Sequence, residues 1–238
     1  MTTRLVTTRS AAAAGILIGL LLTGCAESTV TGTPEASSGS VTPGVDSEIP
    51  GPLSALLIDP QTFPDVYEAL VLPEQAAAAA TQDLDGIAAG ASVVPAGCAP
   101  PSRSTASDGL AVVVGTDGDT RSTITVELER VDAPLSDRKS VWEQCPTVEA
   151  TSNGVTSTVT TELSPPPPID ADDSAALRRT VTSGAGPDTV TQSTLSLVAQ
   201  IDDVRITATF MSYTDAAPDA VTLDELFTAA VLKVGAAR

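Results

Sequence analysis

The sequence predicts an α+β domain, an antiparallel sheet of about five to seven strands with helices packed on one face. Three stretches carry that prediction. Gln192 to Ile201 and Val204 to Tyr213 flank Asp202-Asp203, and a two-residue turn there pairs Ile201 with Val204, Ala199 with Ile206, Leu197 with Ala208 and Leu195 with Phe210. Every pair is apolar, so both strands agree on one register with one buried face. Thr147 to Glu162 folds about Asn153-Gly154, the dipeptide that best suits a tight hairpin turn. Near the C-terminus Leu223, Leu226, Phe227, Ala230, Val231 and Val234 recur at helical spacing and give one apolar stripe to lay across a sheet.

Taken in order, the chain opens with Arg4 and Arg9 ahead of an apolar run, Ala11 to Leu22, too short to span a bilayer. A basic segment, a short apolar segment and small residues at its end have the form of a secretory signal, residues 1–24. Its last residues with the next, Leu22-Thr23-Gly24-Cys25, resemble the lipobox of bacterial lipoproteins. That resemblance implies cleavage before Cys25, a diacylated thiol, and a lipid anchor on the extracytoplasmic face of the cell membrane. Two acyl chains hold where one would not, because each buried methylene contributes about 0.8 kcal/mol. Residues 25–52 then carry Ser, Thr, Gly, Pro and Glu with almost no large apolar side chain, too little to offset the entropy of ordering. They read as a disordered tether with a reach of roughly 25 to 30 Å.

The domain proper is expected over residues 53–238. Apolar density rises at Leu53 to Ile58, Asp59-Pro60 opens a short helical turn, and Phe63-Pro64 breaks it. Asp65 to Leu72 suits either a strand or a helical turn. Pro73 to Ile87 reads as an alanine-rich helix ended by Ala88-Ala89-Gly90, and Ala91 to Val94 leads into a Pro- and Gly-rich loop holding Cys98. Leu110 to Val114 and the alternating Ile124, Val126 and Leu128 form a hairpin with Asp117-Gly118 at its tip. Pro134 to Gln144 is a helix bringing Val141 and Trp142 to the core. In the Asn153-Gly154 hairpin Thr151 faces Thr156, Glu149 faces Thr158 and Thr147 faces Thr160, a threonine-rich face for solvent. Pro165 to Pro168 imposes an extended segment, so the chain is expected to cross there rather than turn. Ala175 to Ser183 is a further strand. Thr222-Leu-Asp-Glu225 spells a capping box for the last helix.

Composition excludes several functions. The full chain has a net charge of −18, and loss of the leader removes two basic residues and no acidic one. So acidic a surface repels phosphate backbones and anionic headgroups, and no nucleic-acid partner is expected. Histidine is absent altogether, which removes Ser-His-Asp and Cys-His nucleophile activation and imidazole metal ligands. With Cys25 assigned to lipid, Cys98 and Cys145 remain as an even pair in an oxidising compartment, where a disulfide is the ordinary outcome.

Leu56-Leu57-Ile58-Asp59-Pro60 with Phe63-Pro64, then Pro95-Ala-Gly-Cys98-Ala-Pro, then Trp142-Glu-Gln-Cys145-Pro, resemble the actinobacterial, especially mycobacterial, lipoproteins called sensor-domain-containing. Their relative is the extracellular sensor domain of the mycobacterial serine/threonine kinase PknH, an α+β module with a cleft. The resemblance runs from about Leu53 to the C-terminus and implies ligand sensing. This chain has one cysteine pair where that ectodomain has two disulfides, and it carries no kinase.

Candidate chemistry outside that resemblance is thin. Ser136-Asp-Arg-Lys139 spells the Ser-x-x-Lys of penicillin-binding enzymes and Lys233-Val-Gly235 faintly echoes their Lys-Thr-Gly, but Val234 replaces the hydroxyl residue. Asp170, Asp172 and Asp173, with Asp83 and Asp85, lack the spacing of a calcium loop and read as turns or caps. Arg178-Arg179 read as strand-surface charges, and Tyr67 and Trp142 as core residues that an open cleft would also use. The sequence therefore points to a non-enzymatic, lipid-anchored envelope protein that binds a small ligand or an envelope protein, without cofactor or metal. A lipid or glycolipid carrier is the alternative.

Overall fold

The computed structural model describes residues 45, 47–101, 109–184, 186–214 and 217–238, apart from the side chain of Asp83. The leader, the lipobox Cys25 and most of the tether lie outside the described residues, which belong to one compact unit, Val41–Arg238.

Among the described residues nine antiparallel strands form one sheet: β1 (Glu68–Val71), β2 (Ser92–Val94), β3 (Leu110–Asp117), β4 (Ser122–Arg130), β5 (Thr147–Ser152), β6 (Val155–Ser164), β7 (Asp173–Ser183), β8 (Val190–Ile201) and β9 (Val204–Ser212). Their spatial order is β1-β3-β4-β9-β8-β7-β6-β5-β2. The expectation of five to seven strands is thus corrected to nine. The two extra strands, β1 and β2, are the sheet edges, of four and three residues, too short for period-two alternation to declare them.

Both predicted registers are present. Ile201 pairs with Val204, Ala199 with Ile206, Leu197 with Ala208 and Leu195 with Phe210. Thr151 pairs with Thr156, Glu149 with Thr158 and Thr147 with Thr160, about a turn in which Asn153 and Gly154 both hold positive φ. Asp117-Gly118 is not such a turn: positive φ falls on Arg121, and the Asp117 carboxylate accepts from the Asp119 amide and the Thr120 hydroxyl. Nor does the proline run cross the sheet. β6 and β7 are adjacent and antiparallel, so Pro165 to Pro168 lies in the connection that turns one back onto the other.

Among the described residues four α-helices accompany the sheet: α1 (Leu53–Leu56), α2 (Glu74–Asp85), α3 (Leu135–Gln144) and α4 (Ala220–Gly235). They occupy both faces, which corrects the one-face expectation. α4 buries Leu223, Leu226, Phe227, Ala230, Val231 and Val234 against Ile124, Val126, Leu128, Ala199, Ile206 and Ala208. These are alternate residues of β4, β8 and β9, so their polar neighbours face the other way. On that second face α3 seats Leu135 against Ala175, Leu177 and Val198. The end of α2 is held there too, through Arg179 of β7, whose guanidinium Nη1 donates to the Leu84 carbonyl at 3.1 Å.

Order begins ahead of Leu53. Ile49 is 1% exposed, its amide donates to Asp203 Oδ1 at 2.7 Å, and the Ser47 hydroxyl donates to Asp202 Oδ1 at 2.6 Å. The alanine-rich helix stops at Asp85, with Gly86 at φ +69°, two residues short of the expected Ile87.

The last helix is capped by Asp219, not by Thr222. Asp219 Oδ1 accepts from the Thr222 amide at 3.1 Å, and its Oδ2 accepts from the Tyr67 hydroxyl at 3.1 Å. Burial opposes ionisation of Asp219, yet the hydrogen bonds from Thr222 and Tyr67 hold its carboxyl below the ordinary aspartate value. Burial first, and then Asp219, push the Tyr67 hydroxyl up to about 12. A depressed carboxyl stabilises the fold above its unfolded value of 3.8, and that contribution is lost as pH falls through the folded value. Asp219→Ala is accordingly expected to cost about 1 kcal/mol at neutral pH. In urea titrations the gap from wild type should narrow below pH 3.8.

Candidate functional site

A cleft of about 380 Å³ opens on the second face of the sheet, between the end of α2, α3 and the end of β4. Its floor follows from strand alternation. Where Ile124, Val126 and Leu128 face α4, the intervening Glu127 and Glu129 face the cleft, opposite Thr207 and Arg205 of β9. Ser196 and Val198 of β8 and Leu177 and Arg179 of β7 continue the floor. Glu127 is 5% exposed and Arg179 is 8% exposed, so both are taken largely out of water. Charges so placed need partners, since an unpaired buried ion costs several kcal/mol.

The partners of Arg179 come from the elements around it. Asp85, at the end of α2, lies 3.5 Å from Arg179 Nη1 and 3.6 Å from Arg138 Nη2 of α3. Arg179 also donates from Nε to the Thr161 hydroxyl at 3.3 Å. Its bond to the Leu84 carbonyl satisfies an orphan acceptor at the negative end of α2. One turn along α3 from Arg138, the Trp142 ring has that guanidinium 5.7 Å from its centroid. At the other end Arg205 donates to the Ala133 carbonyl and to Gln200 Oε1, both at 3.1 Å. Arg130 donates to Asp203 Oδ2 at 2.5 Å and to the Gly51 carbonyl at 2.7 Å, which joins the cleft rim to the start of the domain.

Four arginines and four carboxylates thus line the cleft, with one tryptophan. Four of the nine basic side chains of the described residues gather here, although the chain as a whole is strongly acidic. Such a lining suits a polar ligand that makes charge-assisted hydrogen bonds and rests a flat or apolar part on Trp142.

The Cys98–Cys145 disulfide is present, with Cα atoms 5.7 Å apart. It ties a 3-10 turn, Ala96–Cys98, which follows edge strand β2, to the residue that ends α3. The bond therefore fixes the helix that carries Arg138 and Trp142.

The remaining sequence candidates separate. Arg179 is not a surface charge but part of the cleft floor, whereas Arg178, on the opposite side of β7, is exposed. Trp142 is half-buried beside the Leu135 cluster and lines the cleft, and Leu135 is the residue that α3 buries fully. Tyr67 is core, on the α4 side. Lys139 donates to Asp173 at 2.9 Å, and Lys233 donates to the Leu57 carbonyl. Asp172 accepts from the Asp202 amide at 2.7 Å and from Arg238 at 2.9 Å. Among the described residues no three of Cys, Asp and Glu gather as metal ligands would. The Asp83 side chain lies outside those residues. Glu127, Glu129, Arg130 and Arg205 were not singled out from the sequence. The available signal was Glu-x-Glu on a strand whose other face is apolar, which by itself reads as a solvated face.

No family model and no curated protein matches this sequence. Two solved structures are similar to the chain. One is an uncharacterized protein of Mycobacterium smegmatis, the Rv0999 ortholog, at 19% identity and a TM-score of 0.46, over 73% of this chain and 92% of that one. The other is the extracellular domain of PknH from Mycobacterium tuberculosis, at 13% identity and a TM-score of 0.45, over 77% of this chain and 94% of that one. The second is the ectodomain named above as a relative of the lipoproteins that the proline, tryptophan and cysteine motifs resemble.

Proposed function

We propose that this protein is a lipid-anchored component of the cell envelope whose domain binds a small polar ligand in the cleft between α2 and α3, without chemical turnover. The observation that carries this reading is the cleft itself: a concave site of ordinary ligand volume with a tryptophan wall and buried charges of both signs. Binding fits better than catalysis. Each arginine that lines the cleft is engaged by a carboxylate, a carbonyl or a side-chain oxygen. An acyl chain would displace water from those charges and offer them no hydrogen bond in return, so the lining favours a polar ligand over the carrier reading.

Trp142 is the only tryptophan in the chain, so its emission reports on the cleft alone. Titration with amino acids, short peptides, sugar phosphates and nucleotides should shift that emission with at least one class, and Arg138→Ala should abolish the shift. Ligand recovered unchanged after prolonged incubation agrees with binding. Conversion to product, abolished by Glu127→Gln with the fold intact, would refute it. Anchoring has its own test. Cys25→Ala should move the protein from the detergent phase to the aqueous phase of an envelope extract, because it removes the acylated thiol. Equal partitioning of mutant and wild type would remove the lipid from the account.

A further inference from the structure

A second groove of about 320 Å³ lies on the same face of the sheet, beyond the end of α2. The ridge between the two is a close contact of backbone and side chain. A Cβ on Gly86 would lie 2.3 Å from Val181 Cγ2, so glycine lets the chain sit directly on β7 as it leaves the helix. Asp85 engages Arg138 and Arg179 on one side of this ridge, and Val181 floors the groove on the other.

The second groove differs from the first in its chemistry. Among the described residues no Asp, Glu, Lys or Arg lines it, in a chain with 30 acidic and 12 basic residues. Its floor crosses the sheet from β5 to Tyr213, just beyond β9, an open trough roughly 19 Å long at about 4.8 Å per strand. Small side chains make it. Ser157 and Ser183, paired across β6 and β7, hold their hydroxyl oxygens 2.5 Å apart. That bond consumes one of the two hydroxyl protons and leaves the other to donate outward. At one end Tyr213, 55% exposed, offers an aromatic face, and Gln192 supplies an amide beside it.

We propose that this groove binds a neutral oligosaccharide. An aromatic face packs against the C–H face of a sugar ring, while hydroxyls and an amide meet sugar hydroxyls without any ion being desolvated. Among the described residues a charged ligand finds no counter-ion in the trough. An acyl chain would leave the serine hydroxyls unsatisfied, at a cost that a sugar avoids. The length and openness suit several linked rings rather than one.

The test uses the full-length protein and linear hexasaccharides of glucose, of mannose and of galactose, followed by saturation-transfer NMR and calorimetry. At least one is expected to bind with an affinity unchanged between about 50 and about 500 mM NaCl, because no charge pair is involved. Tyr213→Ala should weaken binding about tenfold, and Tyr213→Phe should retain it. Ser183→Glu, which places a charge in the trough, should abolish it, while Trp142 emission stays unchanged throughout. Because Tyr213 is exposed, its variants keep the fold and keep the test decisive. Absence of binding by all three sugars, or equal binding by Tyr213→Ala, would overturn the proposal. So would a sugar that shifts Trp142 emission and is lost in Arg138→Ala, since that places it in the main cleft.

Discussion

Replacing Cys98 and Cys145 together by serine is expected to destabilise the domain by about 4 kcal/mol on the chain-entropy account of a cross-link. The two residues are 47 apart in sequence, so the bond removes a long loop from the unfolded ensemble. In urea the midpoint should fall by roughly 2 M, for a slope near 2 kcal/mol per molar. The same substitution releases α3 from the turn after β2. Any ligand read through Trp142 should therefore bind more weakly as well, even under conditions where the variant is fully folded. A loss below about 1 kcal/mol would mean that the unfolded chain is already compact about this loop.

Arg179→Met is expected to cost about 3 kcal/mol, in the range for removing one partner of a buried charge cluster. Three losses combine at this residue. The Leu84 carbonyl forfeits its donor at the end of α2, the Thr161 hydroxyl loses a partner, and Asp85 keeps only Arg138 of the two guanidiniums beside it. Arg178→Met is the matched control. One residue away and exposed, it should change stability by no more than about 0.5 kcal/mol. Chemical denaturation of the two variants side by side checks the contrast. Equal effects would mean that Arg179 contributes only as an ordinary strand residue.

That contrast also shows where the sequence was legible. The faces of β8, β9 and α4 that meet were readable residue by residue, because Leu195 to Ile201 and Val204 to Phe210 alternate at period two and Leu223 to Val234 recur at helical spacing. Alternation says which side of a strand is apolar; it does not say what the polar side meets. Thr125, Glu127, Ser196 and Thr209 read as solvent-facing, and yet each is buried on the second face of the sheet. α2 gave little warning that it would end there, because its sequence, EQAAAAATQDLD, offers one large apolar side chain, Leu84. The disulfide was legible from a count of cysteines and a compartment. The cleft was not, since its arginines and carboxylates come from α2, α3, β4 and the connection after it, β7 and β9, and only the folded sheet brings them within reach of one another.

The capping of α4 failed for a related reason. Thr222 and Glu225 have the spacing of a capping box, but Asp219 stands three residues earlier and is fixed by Tyr67, a residue 152 positions away. A local motif lost to a long-range hydrogen bond that sequence spacing does not encode.

Native mass spectrometry of the full-length protein, purified from its own cells, is the decisive test of whether the cleft between α2 and α3 binds a small polar molecule. The account predicts a bound polar species that is released on denaturation, is missing from Arg138→Ala, and is retained by Arg178→Met. A preparation from which only lipids are released, undiminished by Arg138→Ala, would contradict it and favour a carrier.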